Sequence, residues 1–204
     1  MKRISVPEAL RLHVPPAAYS YCVEMWRLGK FHFRVTKDRQ TKLGDYTFDP
    51  RTEKHTISVN QGLNPYAFLV TYIHEVAHLV TQLRHGINVK PHGVEWQSAF
   101  KEVLFPIATL EVFPEDILRA LFQHMKQPAA SSCSDIDLQK VLHRYDKDAE
   151  DYIFVEELLV ENCFLIKNEV YRVLEKSPTK AICLQVSTRR KYYVSNAMRV
   201  KKVK

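Results

Sequence analysis

Two histidines and a glutamate lie close together in the sequence, in the run His74-Glu75-Val76-Ala77-His78. In an α-helix, residues four positions apart differ by about 40° around the axis and by ~6 Å along it, so both imidazoles can face one ion. Neutral imidazoles bind Zn²⁺ at ~2.0–2.1 Å, and a carboxylate beside them can act on a water molecule. The pattern therefore predicts half of a hydrolytic zinc site, with His74 and His78 as ligands and Glu75 as the catalytic residue.

A third ligand has to come from outside this motif, and His85 and His92 are the nearest histidines after it. His85 follows His78 by seven residues, which places it ~10 Å further along a continuous helix and out of reach. Gly86 is expected to end the helix, and the chain from there to His92 can span up to ~20 Å. The loop can therefore fold back, and we predict that His92 completes a three-histidine site for one zinc ion.

The helix that carries the motif is expected to be buried. Asn64 followed by Pro65 is a typical helix start, and from there to about Arg84 apolar residues occur on nearly every side. Unpaired polar groups in such a helix would each cost about 1–3 kcal/mol. A bound metal ion would offset that cost for the two histidines.

The elements around this helix follow from periodicity and from proline and glycine positions. We expect further helices over 7–13, 16–28 with Gly29 as the stop, 94–104 and 114–126. Alternating apolar residues predict short strands at 31–35, 46–48 and 57–59, and the turn-rich segment 49–54 predicts that the last two strands pair as an antiparallel hairpin. The first part of the chain is therefore expected to be an α+β domain.

The second part of the chain has a different pattern of sequence signals. The segment 128–134 is rich in small residues and predicts a hinge, and Ser134 with Asp137 predicts a capped short helix that ends near Arg144. From Phe164 onward, short β-rich pieces alternate with polar turns. We expect three parts: a metal-binding domain over 1–128, a helical hinge and acidic linker over 129–150, and a small basic β-rich domain over 151–204.

Four stretches of the chain resemble one known family. They are Lys42-Leu43-Gly44-Asp45-Tyr46, Ile57-Ser58-Val59-Asn60, the motif helix, and His92-Gly93-Val94-Glu95-Trp96. Together, over roughly residues 9–125, they are similar to the SprT-like metalloproteases, relatives of the Spartan protease. The resemblance implies a compact zincin-like fold with a small antiparallel sheet, in which His74, His78 and His92 match the zinc ligands and Glu75 matches the catalytic glutamate. It also implies hydrolysis of peptide bonds in protein substrates, such as proteins crosslinked to DNA.

The positive charge is concentrated at the two ends of the chain, because the segments 1–60 and 162–204 carry +5 and +9, whereas the segment 129–161 carries −6. The net charge is +7, and the segment 162–204, with eleven lysines and arginines against two acidic residues, contributes +9. Arg189, Arg190 and Lys191 precede two tyrosines that are able to stack on bases, so we expect DNA to contact this segment. Alternating tyrosines are equally typical of a strand. Some members of the family carry a C-terminal zinc ribbon, whereas the four cysteines of this chain include no C-x-x-C pair.

The composition excludes other classes of protein. With 46% hydrophobic residues the chain is not a disordered one, and no apolar run approaches the ~18 residues of a membrane span. The first twelve residues lack the apolar stretch of a signal peptide, so we expect a cytoplasmic protein without a membrane partner. The alternative to a peptidase is a non-catalytic nucleic-acid-binding protein in which the zinc is structural and its fourth position is filled.

Overall fold

The computed structural model describes residues 4–37, 39, 42–126 and 135–203. The chain divides into two compact units, Met1–Ser132 and Cys133–Lys204. The described part of the first unit contains α1 (Val6–His13), α2 (Tyr19–Gly29), β1 (His32–Thr36), β2 (Gly44–Asp49), β3 (Lys54–Asn60), α3 (Pro65–His85), α4 (Val94–Leu104) and α5 (Glu115–Lys126). The described part of the second contains α6 (Ile136–His143), β4 (Tyr152–Phe154), β5 (Cys163–Ile166), β6 (Glu169–Lys176), β7 (Lys180–Gln185), β8 (Lys191–Ser195) and β9 (Arg199–Lys202). The predicted α+β class is confirmed.

The sheet of the first unit has the strand order β1-β3-β2. The hairpin predicted from the turn-rich segment is confirmed, because β2 and β3 pair antiparallel with Tyr46 opposite Ile57. The sheet is mixed, since β1 runs parallel to β3 and places Phe33 beside Ile57. Phe33 and Ile57 are buried on the same face as Val59 and form the floor on which α3 lies.

Helix α3 is the centre of the first unit. It contacts β3, β2 and α4, and most of its apolar side chains are buried. The Tyr72 hydroxyl donates a hydrogen bond of 2.9 Å to the carbonyl of Cys22 on α2. These contacts hold α2, the sheet and α4 around one helix, so that the residues of α3 have fixed surroundings.

The end of α2 differs from the expectation that Gly29 stops the helix. The helix includes Gly29, and Lys30 takes the left-handed conformation with φ 47°. A Cβ on Gly29 would lie 2.8 Å from the Leu79 side chain and 2.9 Å from that of Phe31. The glycine is therefore needed for close packing against α3, and the chain turns one residue later.

The second unit is built on a six-stranded antiparallel sheet with the order β4-β9-β5-β6-β7-β8. One face of this sheet is the core of the unit, and its buried members are Val155, Leu158, Phe164, Val173, Ala181, Cys183, Val194 and Val200. Strands β4 and β9 were not predicted, because β4 has three residues inside an acidic segment and β9 is mostly cationic. The cap of α6 is Asp135, whose side chain accepts a hydrogen bond from the Leu138 N–H; the predicted cap Ser134 and the predicted hinge 128–134 lie outside the described residues.

Within the described ranges, none of the helices has both the length and the apolar content that a membrane span requires.

Candidate metal centre

Helix α3 carries three of the predicted site residues. Its start is fixed by the Asn64 side chain, which accepts hydrogen bonds from two backbone N–H groups of the first turn, and by Pro65 at the first position. The helix then runs without a break through His74 and Glu75, whose side chains are buried, with 6% and 7% of their surface exposed. Because the helix is continuous, it holds the histidine pair and the carboxylate within about one helical turn of each other.

His92 reaches the same place from the loop between α3 and α4. Gly86 ends α3 with φ 71°, a conformation that glycine adopts without strain. His92 itself has φ 59°, and its carbonyl accepts a hydrogen bond of 3.2 Å from the Gln97 side chain on α4. The loop thus turns back after α3 and is held at His92 by the first turn of the next helix.

The three imidazoles converge through their Nε2 atoms. These atoms lie 3.1 Å apart for His74 and His92, 3.2 Å for His74 and His78, and 3.0 Å for His78 and His92. Ligand atoms held at ~2.0–2.1 Å by a tetrahedral zinc ion are about 3.3 Å from each other, which is close to this spacing. The cluster could hold one metal ion, and imidazole donors suit zinc, copper, iron and nickel ions.

The protonation of the cluster also suits a metal ion. Burial, together with the neighbouring His78, His92 and His124, lowers the pKa of His74 to about 2. Burial lowers the pKa of His78 to about 4, and it also lowers the pKa of His92. The three imidazoles are therefore neutral at pH 7, which is the form that binds metal.

Glu75 lies against strand β2. A Cβ on Gly44 would be 2.6 Å from Oε1 of Glu75, so this approach is open only to glycine. Burial raises the pKa of Glu75 to about 8, Asp45 raises it as well, and Arg39 and Lys42 lower it. The carboxylate is therefore a stronger base than an exposed glutamate, and a cation beside it would favour its charged form.

Trp96 is part of this centre, although it was not predicted as a site residue. Its ring centroid lies 4.6 Å from that of His74, 5.4 Å from His78 and 4.7 Å from His92. The side chain is 1% exposed and stacks on Phe100 at 5.1 Å. The sequence signal for this contact is its spacing: Trp96 follows His92 by four residues and lies in the first turn of α4.

Two further residues beside the cluster were not predicted as site residues. The Tyr46 ring is nearly parallel to the His78 ring, with an interplanar angle of 8° and centroids 6.2 Å apart. The Tyr46 hydroxyl and Nδ1 of His55 are joined by a hydrogen bond of 2.8 Å. Both residues lie on the β2–β3 hairpin, and only the tertiary structure brings them to α3.

The predicted nucleic-acid-binding residues lie in the second unit, around the turn between β7 and β8. Arg189 has φ 54° and, with Arg190, closes this turn through backbone hydrogen bonds to Gln185, each 2.9 Å long. Lys191 begins β8, and the side chains of all three cations are exposed. The structure therefore presents them as a solvent-facing cationic turn.

The first unit is similar to a known family. Residues 19–112 match the family model described as the SprT-like family, and none of the solved structures matches the chain. The matched range begins at the first residue of α2 and includes the sheet, α3, α4 and the four residues of the candidate centre. The part of the chain that forms the candidate centre is therefore similar to the SprT-like family, and the match over residues 19–112 is consistent with a member of that family.

Proposed function

We propose that the chain is a zinc-dependent metallopeptidase that hydrolyses peptide bonds in protein substrates. The observation that carries the proposal is the convergence of His74, His78 and His92 beside the buried carboxylate of Glu75. The donor set fits zinc because it consists of three neutral imidazoles at suitable spacing. The SprT-like match over the same residues supports it.

In this proposal, His74, His78 and His92 hold one zinc ion through Nε2. A zinc ion bound there would polarise the scissile carbonyl and activate a water molecule. The Glu75 carboxylate takes a proton from the attacking water and returns it to the leaving amine, so it acts first as a base and then as an acid. Trp96 packs on the three imidazoles and excludes solvent from that side of the rings.

Strand β2 offers a place for an extended polypeptide. Among the described residues, β2 pairs on one side only, with β3, so its other edge is open to a further strand apart from the Tyr46 N–H, which donates a hydrogen bond to the Glu75 carboxylate. The same strand lies against Glu75 at Gly44. A substrate segment added along β2 would pass close to the proposed base, which favours unfolded or flexible segments of proteins as substrates.

The test of this function is zinc-dependent proteolysis of an unfolded protein such as casein by the full chain. We expect a metal chelator to stop cleavage, added zinc to restore it, and Glu75→Gln to abolish it while zinc remains bound. Cleavage that persists in Glu75→Gln would contradict the proposal. DNA binding without any proteolysis by the zinc-loaded protein would favour the alternative, a nucleic-acid-binding protein with a structural zinc.

We further propose that the second unit anchors the peptidase on DNA, so that DNA-associated or crosslinked proteins are its substrates. Lys191 pairs with Leu184, and Leu184 pairs with Arg172, so the two cations lie on the same face of the sheet. On that face Tyr193 is 70% exposed, and Nζ of Lys180 lies 4.2 Å from the centre of its ring. Cations beside an exposed aromatic ring suit contacts to phosphates together with stacking on a base.

DNA binding is measured by the fluorescence anisotropy of a labelled single-stranded oligonucleotide at increasing salt. We expect the triple variant Arg189→Ala/Arg190→Ala/Lys191→Ala to weaken binding and to reduce its salt dependence. The matched control removes three exposed cations from the first unit, at Arg27, Lys101 and Lys126, and should bind like the wild type. Equal losses in both variants would contradict a specific role for the turn.

A further inference from the structure

We propose that Tyr46 is a positioning residue that holds the imidazole of His78 in the orientation needed for metal binding, and that His55 fixes Tyr46 in turn. This inference rests on the metal site proposed above. It concerns a tyrosine and a histidine on the β2–β3 hairpin that the proposed chemistry does not otherwise use.

The ring plane of His78 is fixed by packing. In the described part of the chain, the hydrogen-bond contacts of the His78 ring involve Nε2 alone, which lies within hydrogen-bond distance of Nε2 of His74 and Nε2 of His92. Metal-binding histidines usually donate their second ring N–H to a carboxylate, a carbonyl or a water molecule, and such a partner sets the ring orientation. Here the contacts that set it are aromatic rings, Tyr46 at 6.2 Å and Trp96 at 5.4 Å between centroids.

Tyr46 is the ring that lies parallel to His78. The interplanar angle between them is 8°, whereas Trp96 is tilted by 37° to the same imidazole. A nearly parallel neighbour disfavours rotation of the imidazole about its Cβ–Cγ bond, because rotation breaks the offset stacking of the two rings. The orientation of Nε2 toward the other two histidines depends on this rotation.

Tyr46 is itself held by a stack that continues away from the metal site. The rings of Tyr46 and His55 lie at 15° with centroids 6.0 Å apart, and the Tyr46 hydroxyl is hydrogen-bonded to Nδ1 of His55 at 2.8 Å. His55 in turn stacks on Phe48 at 4.8 Å, and the two are direct partners across the hairpin. The order of contacts is Phe48, His55, Tyr46 and His78.

The backbone explains how Tyr46 reaches α3. A Cβ on Gly44 would lie 2.6 Å from both Thr71 and Glu75, so β2 meets α3 one helical turn before His78. Two residues further along β2, Tyr46 arrives at the level of His78. Gly44 therefore permits the approach of the strand, and Tyr46 uses that approach to contact the imidazole.

The test compares zinc affinity among full-length metal-free proteins, measured by competition with a chromophoric chelator. We expect Tyr46→Leu to weaken zinc binding by about tenfold or more, in the range observed for residues that orient metal ligands. Tyr46→Phe keeps the ring and should recover most of the affinity. Thr47→Leu is the matched control, because it places a leucine on the same strand at an exposed position outside the stack.

Two additional measurements separate positioning from general destabilisation. The melting temperatures of the metal-free variants show whether they are folded, and the visible absorption of Co²⁺-loaded protein shows whether the ligand geometry changes. We expect an altered cobalt spectrum for Tyr46→Leu and an unaltered one for Thr47→Leu. If Tyr46→Leu does not fold, His55→Leu replaces it, with an expected weakening of zinc binding of about threefold from the lost hydrogen bond.

Wild-type zinc affinity in Tyr46→Leu, or equal weakening in Tyr46→Leu and Thr47→Leu, overturns the role of Tyr46. Failure of the wild-type protein to bind zinc overturns the metal site on which the inference rests. The two failures are therefore distinguishable in the same experiment.

Discussion

Nε2 of His78 and Nε2 of His92 lie 3.0 Å apart, although the two residues belong to different elements and are separated by fourteen positions in the chain. The proximity depends on the reversal at Gly86 and on the left-handed backbone of His92, with φ 59°. This Nε2–Nε2 distance is close to the spacing of two imidazole nitrogens bound to one tetrahedral zinc ion. The loop from 86 to 92 is therefore the part of the chain on which a complete metal site depends.

Replacement of His92 tests this dependence. His92→Asn keeps a residue that tolerates a positive φ but removes the imidazole, so zinc affinity should fall by more than about 100-fold while the fold is retained. Zinc content is measured by mass spectrometry after dialysis. His85→Ala, which removes an exposed imidazole from the end of α3, is the control and should retain one zinc ion per chain. Full zinc content in His92→Asn would mean that the third ligand is a residue other than His92.

Gly44→Ala tests the close approach of β2 to Glu75. The new methyl group would lie 2.6 Å from Oε1 of Glu75 and from Cγ2 of Thr71. We expect a loss of about 1–3 kcal/mol in unfolding free energy from overpacking, together with a lower kcat because the carboxylate is displaced. Thr47→Ala, at an exposed position of the same strand, should change neither quantity appreciably. Wild-type stability and kcat in Gly44→Ala would contradict the close approach of β2 to Thr71 and Glu75 at this position.

The helix that carries the motif should depend on its cap. The Asn64 side chain accepts hydrogen bonds of 3.1 and 3.0 Å from the N–H groups of Tyr66 and Ala67. Asn64→Ala leaves both donors without this acceptor and should cost about 1 kcal/mol in urea-induced unfolding. Asn64→Asp keeps an acceptor and should cost little. Equal stability of the alanine and aspartate variants would mean that the start of α3 is fixed by packing alone.

The stability of the first unit should decline at alkaline pH. Burial raises the pKa of the Cys22 thiol from 9.0 to about 12 in the folded state. A thiol that ionises more easily in the unfolded chain favours unfolding as pH rises, so stability is complete below pH 9 and is lost progressively toward pH 12, by up to about 1.4 kcal/mol per pH unit. Chemical unfolding followed by tryptophan fluorescence measures the slope. Cys22→Ala should reduce the loss of unfolding free energy per pH unit above pH 9. An unchanged loss in this variant would mean that groups other than Cys22 cause the decline.

Much of the first unit could be predicted from local sequence signals. The Asn64-Pro65 start, the Gly86 end and the helix Val94–Leu104 are all set by nearby residues, and they lie where the sequence indicated. The hairpin of β2 and β3 also has a local signal in its turn. The chain length between Gly86 and His92 was sufficient to predict that a third imidazole reaches the helix pair, because reach is a property of the covalent chain.

Other features depend on tertiary contacts that leave no local signal. The parallel pairing of β1 with β3 joins strands that are not consecutive, and the turn at Lys30 follows from packing of Gly29 against Leu79. Strand β9 is cationic, and only its pairing with β4 and β5 makes it a strand. For the same reason the contacts of Tyr46 with His78 could not be predicted, since they require the hairpin and α3 to be packed together.

The most direct test of the account is anomalous scattering at the zinc edge from crystals of the zinc-loaded full chain. We predict a single anomalous peak, from one zinc ion bound to Nε2 of His74, His78 and His92. No fourth protein side chain should bind the ion, and its open position should face Glu75. A peak elsewhere in the chain, or a protein side chain in the fourth position, would contradict a catalytic zinc at this centre.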